Sequence, residues 1–128
     1  MTRELEAPPF VLDAARVVRY AVLDLETGRP TSFVVNGVPL DARNLAGVAI
    51  AEALLDGTIF LLNCNERWET ISASPHPDVP SAEEAAAATY GSVLPAWTEY
   101  RALTDEEQRE IQTTRSFLQD LAAEEFGG

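Results

Sequence analysis

DARNLAGVAIAEALLDGTIFLLNC, residues 41–64, divides at Gly57, and the order of the elements on either side of that glycine organises the whole chain. Before it, Leu45, Val48, Ala49, Ile50, Leu54 and Leu55 recur at the spacing of an amphipathic helix. Asp41 offers a side-chain acceptor to the first free amides of such a helix, and Gly57 can adopt the left-handed conformation that ends one. The spacing therefore predicts a helix over 42–56 with a broad apolar face laid on a sheet. After the glycine, TIFLLNC (58–64) is short, apolar and rich in β-branched and aromatic residues, which predicts a buried strand. Asn65 and Glu66 supply a turn, and 68–72 reads as the antiparallel return strand.

Upstream, RVVRYAVLDL (16–25) has strand composition, ETGRP (26–30) supplies a turn, and TSFVV (31–35) resumes the strand character, which predicts a β-hairpin. Asn36-Gly37 is a second tight-turn signal leading into Val38-Pro39-Leu40, where the proline confines the segment to an edge or a strand end. Residues 1–9 are polar and end in Pro8-Pro9, so the expected organisation is a flexible N-terminal segment (1–9) before a single domain (10–128). Downstream, three prolines between 73 and 80 interrupt regular structure. Ser81 and Glu84 then have the spacing of a capping box for a short Ala-rich helix closed by Gly91. Residues 93–100 read as a final strand or extended segment over the core. Thr104 and Glu107 form another capping box, opening a helix over 105–125 with Ile111, Phe117, Leu118, Leu121 and Ala122 as its apolar face. The resulting order is ββαββα(β)α. The expected fold class is α+β, a mainly antiparallel sheet of four or five strands with about three helices packed on it. The same order is compatible with two diverged ββα units, 17–56 and 58–91.

The stretch 59–100, with FLLNCNERWETIS followed by a capped Ala/Glu helix, Tyr90-Gly91 and Trp97, resembles a group of small uncharacterised acidic bacterial proteins. Their hairpin carries Cys, an acid and Trp ahead of an acidic helix. Here Asn63 and Asn65 bracket Cys64, whereas an acid commonly follows the Cys in that group. The resemblance implies no activity and no functional residue.

The chain of 128 residues carries 21 acids against nine arginines and no lysine, a net charge of −12. Residues 1–40 contribute −1, 41–80 contribute −4 and 81–128 contribute −7. Such a field repels nucleic acid and anionic lipid, because their binding draws on basic side chains that displace counterions from phosphate. It attracts a basic protein, most strongly at low salt. An apolar fraction of 46% and a charged fraction of 23% belong to a globular chain. The absence of lysine beside abundant Ala and Arg fits the coding bias of a GC-rich, bacterial genome. Cys64 is alone, which excludes an intramolecular disulfide, and MTRELEAPPF lacks the basic and apolar runs of a secretory signal, so the expected location is the cytoplasm.

Candidate chemistry is sparse. VLDLETG (22–28) resembles the first metal-binding motif of DnaQ-like exonucleases, which implies divalent ions held by Asp24 and Glu26, with Asp41 as a faint echo of the second motif. Only about a dozen residues separate the two motifs, too few for the strands such a nuclease places between them. His76, in SPHPD (74–78), is read as an exposed loop residue within reach of Asp78. Cys64 lies in an apolar strand without a base beside it, and no Cys/His grouping has zinc-ligand spacing. Gly127-Gly128 resembles the tail of ubiquitin-like modifiers and sulfur carriers, although it directly follows a helical run. No catalytic, metal or cofactor residue is therefore assigned. The expectation is a non-enzymatic acidic binding protein, of immunity or antitoxin type, for a basic partner protein and not for nucleic acid or membrane. Its partner-binding residues are expected on the last helix at Glu106, Glu107, Glu110, Glu124 and Glu125. Alternatives are a metal-dependent hydrolase or nuclease using Asp24 and Glu26, and a diglycine-tailed modifier.

Overall fold

The structure is a computed structural model, described here over residues 7–23, 32–35, 38–41, 45–91 and 94–126. Strands β1 (Val11–Leu12), β2 (Ala15–Val22), β3 (Ser32–Val35), β4 (Val38–Asp41), β5 (Gly47–Ala53), β6 (Ile59–Cys64) and β7 (Thr70–His76) precede helix α1 (Val79–Tyr90), strand β8 (Thr98–Glu99) and helix α2 (Asp105–Phe126). The main sheet is antiparallel with neighbour order β1-β2-β5-β6-β7, and β8 joins β2. The fold class is α+β as expected, but the described residues contain two helices.

The missing helix is the one expected over 42–56, where 47–53 instead forms the central strand β5. All residues from Gly47 to Ala51 are buried. Val48 and Ile50 enter the cluster that meets α1, while Ala49 and Ala51 enter the cluster on the opposite face. A strand covered on both faces reads as a continuous apolar run, which periodicity alone does not separate from a buried helix. Gly57 does take a positive φ, 79°, but in the tight connection to β6, where its amide bonds Ala53 O at 2.9 Å. Without that helix the proposed ββα repeat does not exist.

The expected hairpin of 16–25 with 31–35 is also replaced. β2 pairs with β5 from Ala15↔Ala53 to Val22↔Gly47, and β3 pairs with β4 in a separate two-stranded sheet. The β3–β4 register ends at Val35↔Val38, the expected Asn36-Gly37 turn lies outside the described residues, and Pro39 sits on a strand with a single neighbour among the described residues. A register shift between Val17 and Arg19 turns β2 over: Ala15 and Val17 belong to one core cluster, Ala21 and Leu23 to the other.

β6 follows the expectation, and Asn65 builds the turn after it by accepting the amides of Arg67 (2.9 Å) and Glu69 (3.0 Å) on Oδ1. Trp68, expected in the return strand, lies in that turn at φ 59° and is buried with its ring on Gly47. A Cβ at Gly47 would stand 2.6 Å from the ring, so the close approach demands glycine there. β7 runs on through Pro75 to His76, past the expected break, because an edge strand tolerates a proline.

α1 begins two residues before the expected box. Asp78 is its N-cap, accepting Ser81 N at 2.8 Å, and Gly91 closes it at φ 55°. Ala82, Ala86 and Tyr90 recur every fourth residue and are buried on the sheet with Ile50 and Leu61. Arg19 on β2 donates to Glu83 at 2.6 Å and to Glu99 at 3.4 Å, tying α1 and β8 to one strand.

Candidate functional site

α2 starts as its sequence predicts. Thr104 Oγ1 accepts Glu107 N at 3.1 Å and Glu107 Oε1 accepts Thr104 N at 3.0 Å, the reciprocal bonds of a capping box. The same carboxylate takes the guanidinium fork of Arg101 at 2.7 and 2.8 Å. The Arg101 fork and the Thr104 amide together hold Glu107 down to about 2 from an ordinary 4.5. Further along, Ile111 is buried and Arg115 Nε donates to Leu54 O at 2.9 Å. Leu118 and Ala122, half-buried, continue that inner side.

The expected apolar face therefore splits. Ile111 and Phe117 are six residues apart, about 120° around a helix, and cannot share one narrow face. Phe117 is 61% exposed and Leu121 45% exposed. Around Phe117, Glu110 lies seven residues before, Asp120 three after, Leu121 four after and Glu124 seven after, so all stand on its side of the helix, and all are exposed. Glu106 continues the same side toward the N-terminus and is exposed as well. The outer face of α2 is an aromatic and a leucine set among four acids. Arg109 stands on the flank, its Nε 3.4 Å from Asp105 O.

Of the expected partner-binding residues, Glu106, Glu110 and Glu124 are brought together on this face, and Glu107 is taken up by the helix start. The side chain of Glu125 lies outside the described residues. Phe117 and Leu121 were missed because they are read together with Ile111, Leu118 and Ala122 as a single apolar face turned to the core. The signal that finds them is their angular distance from Ile111.

Elsewhere, His76, Asp78, Cys64 and Tyr90 sit in structural surroundings. His76 is a half-buried strand residue and not a loop residue; its Nε2 lies 3.0 Å from Ser74 Oγ, while Asp78 caps α1. Ser74 is only 5% exposed, and a nucleophile needs access. Burial pushes the Cys64 thiol up to about 12, which removes thiolate character. Tyr90 donates its hydroxyl to Asn63 Oδ1, and Asn63 Nδ2 donates to Ser72 Oγ at 3.0 Å, so the buried amide is satisfied across β6, β7 and α1. Among the described residues no three His, Cys, Asp or Glu gather as a metal site, and no helix is long and apolar enough to cross a membrane. Asp24, Glu26, Gly127 and Gly128, on which the nuclease and modifier alternatives rest, lie outside the described residues, as does the side chain of Asp41.

Comparison with protein-family models, with curated proteins and with solved structures finds no match to this chain.

Proposed function

We propose that this chain is a non-enzymatic acidic binding protein that docks a basic partner protein on the outer face of α2, in the manner of an immunity or antitoxin-type inhibitor. The observation that carries the reading is the exposure of Phe117 and Leu121 on the acidic side of a helix whose opposite side holds it to the body. Exposed apolar residues ringed by charge suit an interface in which an aromatic anchor supplies affinity and the charged rim supplies rate and specificity. The partner's matching surface is basic with an apolar notch. A second copy of the chain is disfavoured as occupant, because like charges of Glu106, Glu110, Asp120 and Glu124 would meet their equivalents. Inhibition is steric: the helix covers the basic groove that would otherwise hold phosphate.

The test is calorimetric titration of the full chain with an amphipathic Lys/Leu helical peptide and with an unstructured polylysine of equal charge, at low and high salt. The expected result is a salt-sensitive complex with the amphipathic peptide, weakened about tenfold or more by Phe117→Ser. Polylysine binding is expected to respond to salt and not to that substitution. Equal affinity of Phe117→Ser and the parent chain for the amphipathic peptide rejects the reading.

A further inference from the structure

We propose that the cleft between β2 and the segment following β8 binds a small organic carboxylate bearing an apolar group. The cleft has a volume of about 280 Å³ and is lined by Arg16, Val17, Val18, Glu99, Tyr100, Arg101 and Leu103. Its frame is fixed by the backbone, since Tyr100 N bonds Val18 O at 2.9 Å and Val17 N bonds Phe10 O at 2.9 Å. The Tyr100 hydroxyl donates to Pro8 O at 2.7 Å, which orients the ring at the wall.

Two arginines and one glutamate line the cleft, and the two arginines differ in how they are engaged. Arg101 gives its fork to Glu107 and packs over the Tyr100 ring at 5.3 Å. Glu99 faces Arg19 at 3.4 Å. Arg16 is half-buried and, among the described residues, makes no ion pair, although Glu52 is its cross-strand neighbour on β5. A guanidinium partly withdrawn from water and engaged in no ion pair gains from an anion, and its planar fork matches a carboxylate in two parallel bonds. A single guanidinium without an ion pair, beside Glu99 and in a molecule of net −12, suits a singly charged ligand and disfavours a phosphate dianion. Val17, Val18, Leu103 and the Tyr100 ring offer an apolar wall for the rest of the molecule. The volume falls at the small end of ligand cavities, which limits the ligand to about one ring or a short chain. The site is separate from the outer face of α2 and does not depend on the basic-partner reading.

The experiment is an amide chemical-shift titration of the full chain with phenylacetate and with its neutral isostere phenylacetamide, repeated on Arg16→Gln and on Arg67→Gln, an exposed arginine in the β6–β7 turn. Saturable shifts centred on Val17, Val18, Tyr100 and Leu103 are expected with phenylacetate. Affinity should fall about tenfold or more with phenylacetamide and in Arg16→Gln, and stay unchanged in Arg67→Gln. Absence of saturation with phenylacetate, or equal affinity for the acid and the amide, overturns the proposal. The acid-against-amide comparison uses the unaltered chain, so it decides the matter even if Arg16→Gln folds poorly.

Discussion

α1 and α2 are both capped helices, yet they dispose of their apolar residues in opposite ways. α1 turns Ala82, Ala86 and Tyr90 onto the sheet, where small side chains let helix and strands approach closely, and all three are buried. α2 is nearly twice as long, 22 residues against 12, but Ile111 is its one buried hydrophobic residue among those described. Two polar bonds accompany it: Arg101 to Glu107 at the helix start and Arg115 to Leu54 O farther along. The difference teaches that α1 belongs to the folding core, while the apolar residues of α2 remain available to another molecule.

The contrast breaks most visibly with a charge. Ala86→Asp places an unpaired carboxylate at a site with no exposure and should cost more than about 3 kcal/mol in urea unfolding followed by tryptophan fluorescence. The matching change on α2, Phe117→Asp, should move stability by no more than about 0.5 kcal/mol, and comparable losses in the two variants would erase the distinction. Next in size, Tyr90→Phe removes the donor to Asn63 Oδ1 and should cost about 1–3 kcal/mol in the same measurement, because the buried amide oxygen has lost its partner.

Smaller and local effects sharpen the comparison at α2. Thr104→Ala removes one half of the capping box and should cost about 1 kcal/mol, seen as faster amide exchange in the first turn of α2 with α1 unchanged. The smallest effect is titration of Glu107. Its folded pKa is depressed to about 2 from 4.5, so its contribution is present above about pH 4.5 and lost as the pH falls toward 2. Protection of the α2 amides should decline across that window in the parent chain, and the Glu107-dependent part of the decline should vanish in Glu107→Gln. An unchanged pH profile in that variant would show that the Arg101 pair contributes nothing there.

Legibility followed local chemistry. The two helices with Ser, Thr, Asp and Glu at their starts were readable, because caps are formed by residues adjacent in sequence, and only the identity of the α1 cap shifted, from Ser81 to Asp78. β6 was readable from its own short apolar run. Residues 47–53 were not, since Ala and Glu favour helix and nothing within the segment records that β2 and β6 lie on either side of it. For the candidate site, the acids of α2 were legible as acids, but the role of Glu107 depended on where Arg101 falls. The position of Phe117 depended on which side of α2 meets the body.

The amino-acid sequence by itself determined a net charge of −12 concentrated toward the C-terminus, an apolar content sufficient for a core, a cysteine without a disulfide partner, and the starts of the last two helices. Tertiary structure alone decided that 47–53 is a central strand, that Arg16 lines a cleft and makes no ion pair among the described residues, and that Phe117 and Leu121 point away from the core. Caps and turns are satisfied within a few residues, so local order encodes them. Burial on two faces, ion pairing and exposure depend on neighbours brought from distant parts of the chain, and they exist only once the sheet has assembled.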